Sequence, residues 1–367
     1  MEYLKRSDAM KKMYFFVFLL FIFSFFTLLA YEWEGKIYVD NGVKIIENFE
    51  SRFITNNIEF EETLSIGKED GKDYEILSGG YLSVSASDNG DIYIYDGKQY
   101  RLLKFDKDGK FIWKIGRKGE GPKEFKNQFC DIYQSYDNNI VVCDELFIKF
   151  FNEKGEFIKT IKLDKMPTNV SFLNNKKILI NVFSNGQPTI KAVYYTKDGK
   201  FISEVPVKYT YGPKLSKGVG VSIGGGGIKI FNNHIYISLP DKYEIREYDL
   251  KGKFKRVIKR DVLIKPMNII VRNNGRSVSV YPSDVSGPVY FYKNKFIINS
   301  VQKVKEVKKN KYKTKSYIDF FLINGKYIGS YKVPKDTYFK FIDRKGNFYF
   351  IQYDPFPRVY RAKLILK

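Results

Sequence analysis

The chain has 367 residues, 44% hydrophobic and 17% aromatic, so it carries enough apolar mass for a sizeable core and does not read as disordered. Its two cysteines, Cys130 and Cys143, exclude a disulfide framework; at most they form one bridge, and two free buried thiols are the preferred reading. The net charge of +22 would suit phosphates, but Lys dominates the bases, and Asn, Ile, Phe and Tyr are plentiful too. An AT-rich genome gives that mixture without selection for nucleic acid. Such a surface still attracts anionic glycans and lipid headgroups.

Lys5, Arg6, Lys11 and Lys12 precede an uncharged apolar run over 13–30, followed by Glu32 and Glu34. As a helix the run would rise about 27 Å, enough to span a hydrocarbon core. The bases on its N-terminal side predict that the bulk of the chain is translocated. The run has no polar face, which argues against a buried core helix. Ala30 is small, but Leu28 is a poor partner for a cleavage site, and the run is longer than a usual signal-peptide core. A signal anchor is therefore preferred over a cleaved signal peptide. No Cys follows to take a lipid. The expected plan is a basic cytoplasmic tail over 1–12, the anchor or signal peptide over 13–30, a linker over 31–59 and one domain over 60–367.

From residue 60 onwards, short alternating runs of Ile, Val, Phe and Tyr are punctuated by Asn, Asp and Gly, which predicts antiparallel β-structure throughout. One turn recurs, with Gly, a polar residue and an aromatic: Gly109-Lys110-Phe111, Gly155-Glu156-Phe157, Gly199-Lys200-Phe201, Gly252-Lys253-Phe254 and Gly325-Lys326-Tyr327. Glycine suits the positive φ that closes such a hairpin. A second turn precedes each apolar pair, at Asn89-Gly90, Asn138-Asn139, Lys176-Lys177, Asn233-His234, Asn294-Lys295 and Gly346-Asn347. Six copies alternating with the first turn predict six four-stranded units, the signature of propeller blades. The fold expected is all-β, a six-bladed β-propeller behind one N-terminal transmembrane or signal helix. The last unit ends at Lys367 one strand short, and residues 62–67 resemble the outer strand of the first unit, so an N-terminal strand is expected to close the ring. The stretch 268–281 reads as an inserted hairpin, or as a degenerate extra blade.

An Asp followed five residues later by a base also repeats: Asp96/Arg101, Asp144/Lys149 and Asp241/Arg246, with Asp354/Arg358 close to it. Repetition at one place in each unit favours structural ion pairs over a ring of ligands. These residues carry a family resemblance. With Phe105-Asp106, Gly109-Lys110-Phe111, and the run Gly119-Glu120-Gly121-Pro122 before Phe125, the stretch 90–163 resembles NHL-type repeats of six-bladed propellers in bacterial envelope proteins. The resemblance extends more weakly over 60–367. It implies the fold, and for function mostly binding.

Chemistry is sparse. The single histidine, His234, falls in a predicted turn, short of the ligands a zinc site needs or the buried base a nucleophile needs. No cofactor is predicted. Calcium remains the one enzymatic route, through a lactonase-like channel to which Asp131 and Asp284 could contribute oxygens.

In a propeller, the second-to-third-strand connections and the blade-to-blade crossings share one face. Every long segment falls there: 117–129, 208–227, 260–287 and 302–315. Loops grown on one face of a repeat scaffold usually carry function. The candidate binding residues are Tyr209 and Tyr211 with Lys303, Lys305, Lys308, Lys309 and Lys311, the rest of that lysine run being ordinarily a solvated hairpin tip. The expected role is non-catalytic recognition of a protein, peptide or anionic glycan at the cell envelope, with the membrane held through the N-terminal helix. A calcium-assisted hydrolase in the channel is the alternative.

Overall fold

The computed structural model describes residues 33–367 except 56, 136, 165–166, 174–176, 183–188, 211–225, 266–267, 273–276, 282–283 and 309–310. The tail over 1–12 and the apolar run over 13–30 therefore lie outside the described residues. Among those described, no helix is long and apolar enough to cross a membrane.

Strands begin with β1 (Gly35–Asp40), β2 (Val43–Asn48) and β3 (Ile58–Ile66). Six blade sheets follow, five of four strands and the fourth extended to six by β1 and β2. The first holds β4 (Leu82–Ala86), β5 (Ile92–Asp96), β6 (Arg101–Phe105) and β7 (Phe111–Ile115), and the second β8 (Asp131–Gln134), β9 (Ile140–Asp144), β10 (Phe147–Phe151) and β11 (Phe157–Lys162). The third holds β12 (Pro167–Phe172), β13 (Lys177–Val182), β14 (Thr189–Thr196) and β15 (Phe201–Thr210). The fourth is built on β16 (Gly227–Phe231), β17 (His234–Ser238), β18 (Glu244–Asp249) and β19 (Phe254–Arg260). After β20 (Asn268–Arg272) and β21 (Ser277–Tyr281), the fifth sheet takes β22 (Val285–Tyr292), β23 (Phe296–Lys308), β24 (Lys311–Leu322) and β25 (Tyr327–Lys332). The sixth joins β26 (Thr337–Ile342), β27 (Phe348–Gln352) and β28 (Arg358–Leu366) to β3, which pairs antiparallel with β28 from Ile58↔Leu366 to Ile66↔Val359.

Inner strands such as Ile92–Asp96 and Ile140–Asp144 are buried along their whole length, so each sheet needs cover on both faces. Neighbouring sheets supply it. Leu82 and Ile94 meet Tyr349 and Ile351 between sheets six and one, and Tyr95 meets Val142 and Phe151 between one and two. Ile148 meets Ile178 and Ile180, Leu179 meets Ile235 and Ile237, Ile258 meets Ile297 and Phe321, and Ile298 meets Phe348 and Phe350. Six interfaces in cyclic order make a ring. Gly109, Gly155, Gly199, Gly252 and Gly325 take φ of +76° to +95° in the turns between third and fourth strands.

Two sequence expectations need correction. The presumed linker over 31–59 contains the β1–β2 hairpin, with β2 running parallel to β19 from Lys44↔Arg256 to Asn48↔Arg260. An outer strand leaves a row of unpaired backbone groups, and this hairpin covers them while fully burying Ile46. The segment 303–315 is mostly strand, because β23 and β24 extend beyond the blade as a twisted ladder rather than a loop. The stretch 268–281 agrees with its reading as an inserted hairpin: among the described residues β20 pairs with β21 in a two-stranded sheet of its own.

Candidate functional site

Antiparallel succession within each sheet fixes two faces. Connections from second to third strands, and crossings to the next sheet, share the upper face; the remaining turns form the lower one. The channel runs between them, bordered by the innermost strands.

Side chains from five blades line the channel. Tyr81 Oη, just ahead of β4, donates to Asp131 Oδ1 at the start of β8 (2.5 Å), and Ser83 Oγ lies 3.4 Å from the same oxygen. Lys340 of β26 holds its Nζ 5.1 Å from the centre of the Tyr81 ring, and Tyr290 of β22 donates its hydroxyl to the Lys340 carbonyl. Burial, reinforced by the Asp131 charge, raises the phenols of Tyr81, Tyr133 and Tyr290. Burial lowers the Lys340 ammonium, against the pull of Asp131. Lys229 of β16 is lowered by burial and then by Arg344. Yet Lys229 is exposed to solvent and Lys340 half-buried, as befits cations lining a narrow wet lumen. At the mouth, between the second and third blades, Phe129, Asp131, Tyr133, Glu145 and Asn169 line a shallow recess. An acceptor, two cations and three aromatic rings can hold a polar chain end, with stacking on its apolar parts.

None of these tyrosines or lysines stands out in the sequence, because only ring closure makes them neighbours. Their one common signal is position, on or just before the first strand of a blade.

The Asp-plus-five repeat serves the scaffold unevenly. Asp96 and Arg101 form a buried pair at 3.0 Å, with Asp73 adding to Arg101 at 2.9 Å. Asp144 and Lys149 pair at 3.3 Å, and Asp144 also accepts the amides of Lys126 and Asn127. Lys149 donates to the Gly121 carbonyl (3.3 Å), so the Gly-Glu-Gly-Pro loop is tied down by this pair while Phe125 packs on Tyr95 and Phe151. The other two instances are different. Asp241 accepts from Tyr209 Oη (2.9 Å) while Arg246 pairs with Glu244, and Arg358 turns to Glu62 on β3. A shifted upper connection in the fourth blade brings Glu244 nearer the guanidinium than Asp241.

The expected binding residues do not form one site. Tyr209 is braced by Asp241 and lies under Arg246, 5.0 Å from its ring centre, and burial raises its phenol. Lys303 is tied to Asp284 at 2.5 Å. Lys305 and Lys308 are exposed on the β23–β24 hairpin; Lys311 begins β24, while Tyr211 and Lys309 lie outside the described residues.

Asp284 also accepts the amides of Lys265 and Val304, so it belongs to the hairpin base, and Asp131 to the channel. Among the described residues no three of His, Cys, Asp or Glu stand together where they could hold a metal ion. His234 lies at the start of β17, just after the expected turn, half-exposed and with Nδ1 2.9 Å from the Asn232 carbonyl. Cys130 and Cys143 are free and buried, and burial raises both thiols, which makes them poor nucleophiles.

Six packed sheets around one polar channel define a six-bladed β-propeller. Comparison with known proteins agrees: a family model described as a 6-bladed beta-propeller matches residues 75–217. Among solved structures, the chain is similar to a member of the DUF4221 family from Bacteroides vulgatus, at 12% identity and a TM-score of 0.57, covering 85% of this chain and 100% of that one. It is also similar to a protein from Bacteroides fragilis, at 13% identity and a TM-score of 0.56, covering 88% and 99%. At such identities the likeness is one of fold alone. No curated protein sequence matches the chain.

Proposed function

We propose that this propeller is a non-catalytic binding module of the NHL-repeat type, tethered by its N-terminal apolar run and held outside the cytoplasm. One observation carries the binding role. The crossing over 117–129, the insertion bearing β20 and β21 and the long β23–β24 hairpin all belong to the upper face, whereas the described lower turns are short. Repeat scaffolds that elaborate one face do so where a partner sits. The tether is supported by the bases ahead of residues 13–30. Closure of the ring by β3 belongs to the same reading, supported by its long register on β28.

The partner proposed is an envelope protein, peptide or anionic glycan whose end enters the channel mouth. Tyr81 and Tyr133 offer ring faces, Asp131 an acceptor, and Lys340 a cation that can pair with an anion. The test is a binding screen of the full chain in nanodiscs against envelope glycans and peptides, with calcium and with chelator. A hit should weaken at least about tenfold in Tyr81→Ala combined with Lys340→Met, in line with loss of one charged and one aromatic contact. Lys154→Glu, in a lower turn, should leave it unchanged. Loss in the lower-turn variant, with the channel variant unaffected, would refute the face assignment. A reporter fused after Lys367 should lie outside the cytoplasm, and carbonate washing should not release the protein.

A further inference from the structure

The hairpin of the fifth blade sets lysines directly opposite one another. In the β23–β24 register Lys303 faces Lys315, Lys305 faces Lys313, and Lys308 faces Lys311. Like charges in facing positions destabilise an antiparallel ladder, and this one holds three such pairs, separated by Val304↔Thr314 and Glu306↔Tyr312. Lys303 is balanced at the base by Asp284, and it donates to the Leu263 carbonyl. Lys305, Lys313 and Lys315 are exposed and make no ion pair among the described residues. The charge of the ladder therefore looks outward.

Apolar side chains surround it. Leu263 is 80% exposed, Phe49 48% and Val307 44%. The segments that carry them are joined: Phe53 stacks on Tyr317 of β24 at 3.9 Å, and the Asp261 amide donates to the Asn48 carbonyl (2.9 Å). The start of the described chain is in the same place, because the Phe49 amide donates to the Glu34 carbonyl (2.9 Å). Ala30, the end of the apolar run, is five residues before Gly35, which an extended chain covers in at most about 18 Å. Whatever membrane receives the run must lie within that reach of Gly35, on the side of the molecule where Phe49 is exposed.

We propose that this patch docks on the anionic headgroups of the bilayer that receives the N-terminal run, with the lysines drawn to lipid phosphate and Leu263, Phe49 and Val307 entering the interface. The proposal rests on the tethered reading given above. Lysines interspersed with exposed apolar residues are the chemistry of interfacial binding, each cation adding about fivefold to partition onto an anionic surface. A soluble anionic glycan would satisfy the lysines but gives Leu263 and Val307 nothing to contact, so the lipid surface fits better.

The test uses the full chain in vesicles of phosphatidylcholine alone or with phosphatidylglycerol. A fluorophore is placed on Leu263→Cys, or on Lys154→Cys in a lower turn; Cys130 and Cys143 are buried and stay unlabelled in the native protein. Nitroxide lipids should quench the probe at 263 in the anionic vesicles and not the probe at 154. Combining Lys305→Gln, Lys313→Gln and Lys315→Gln should cut the ratio of docked to undocked protein about a hundredfold, the product of three lysines, and added salt should act in the same direction. Three results would overturn the proposal. An unquenched probe at 263 on carbonate-resistant protein leaves the tether standing and removes the docking. Release by carbonate removes the tether and the docking with it. Protection of the probe by a soluble anionic polysaccharide, without lipid quenching, assigns the patch to a glycan.

Discussion

Arg260 ends β19 with its guanidinium 3.8 Å from the centre of the Tyr327 ring and Nη1 on Asp319, both side chains fully enclosed. Its Nε donates to the Glu50 carbonyl (3.1 Å) and Nη2 to that of Arg52, so one side chain fixes the segment leading from β2 to β3. Burial would lower its pKa, but Asp319 and the neighbouring tyrosines outweigh that and keep it charged. Asp319→Ala strands this charge and should cost about 3–5 kcal/mol in denaturant unfolding. Replacing both partners, Arg260→Met with Asp319→Leu, should cost less than that single change; equal or additive losses would contradict the account. Asn48 acts similarly at close range. It accepts Trp33 Nε1 and the Tyr327 amide, both at 2.7 Å, and donates to the carbonyls of Lys259 (2.9 Å) and Gly325 (3.2 Å). Neither residue belongs to a repeat or a motif, and nothing in the sequence marks them. The Asp96–Arg101 pair was legible because repetition exposed it.

The turn glycines were readable for the opposite reason, that a single backbone requirement recurs. Gly199 takes φ +85°, and a Cβ there would lie 2.2 Å from Ile161 Cγ2 on the preceding blade's outer strand. Gly199→Ala should therefore destabilise by about 1–3 kcal/mol, combining left-handed strain with a clash; a neutral effect would mean that the blade edge yields. The elements misread were the β1–β2 hairpin, taken with the linker over 31–59, and the extended β23–β24 ladder, whose run of lysines suggested a loop. What stabilises them is another strand's unpaired backbone, which no local pattern records. β3 offers the sharpest test at this scale. Its Phe60 packs against Phe320, Phe348 and Phe350, and removing residues 58–66 would uncover those rings and the whole edge of β28. Thermal melting should fall by an amount corresponding to several kcal/mol, each buried ring being worth about 3–5 kcal/mol on removal. A chain beginning at Gly67 that melts like the full protein would refute closure by this strand.

As a whole the molecule encloses many of its 29 tyrosines. Burial raises the phenols of Tyr81, Tyr95, Tyr243, Tyr327 and Tyr349, which lie between blades or along the channel. Above about pH 10 an unfolded chain loses phenolic protons that the folded chain keeps. Unfolding then gains about 1.4 kcal/mol per pH unit for each such tyrosine, so stability falls as pH rises through this range and is indifferent to these groups below it. Tyrosinate absorbance from the buried rings should appear together with the loss of β-structure in circular dichroism. Titration of all the rings near pH 10 while the β-signal persists would contradict their enclosure.

The sequence alone determined the β-character of the blades, their grouping by turn glycines and asparagines, their number and the face on which long segments fall. These are local or periodic properties: φ at a glycine, alternation along a strand, the spacing of repeats. Tertiary structure decided which polar groups meet. Asp131 reaches Tyr81, and Lys340 reaches both Tyr81 and Tyr290, only because the first, second, fifth and sixth blades close on one axis. The same is true of the lysine ladder, whose facing pairs come from a register that the sequence leaves open until both strands extend past the blade. Blade number follows from repetition. The chemistry of channel and patch comes from side chains far apart in the chain, so it could be read only once the ring had brought them together.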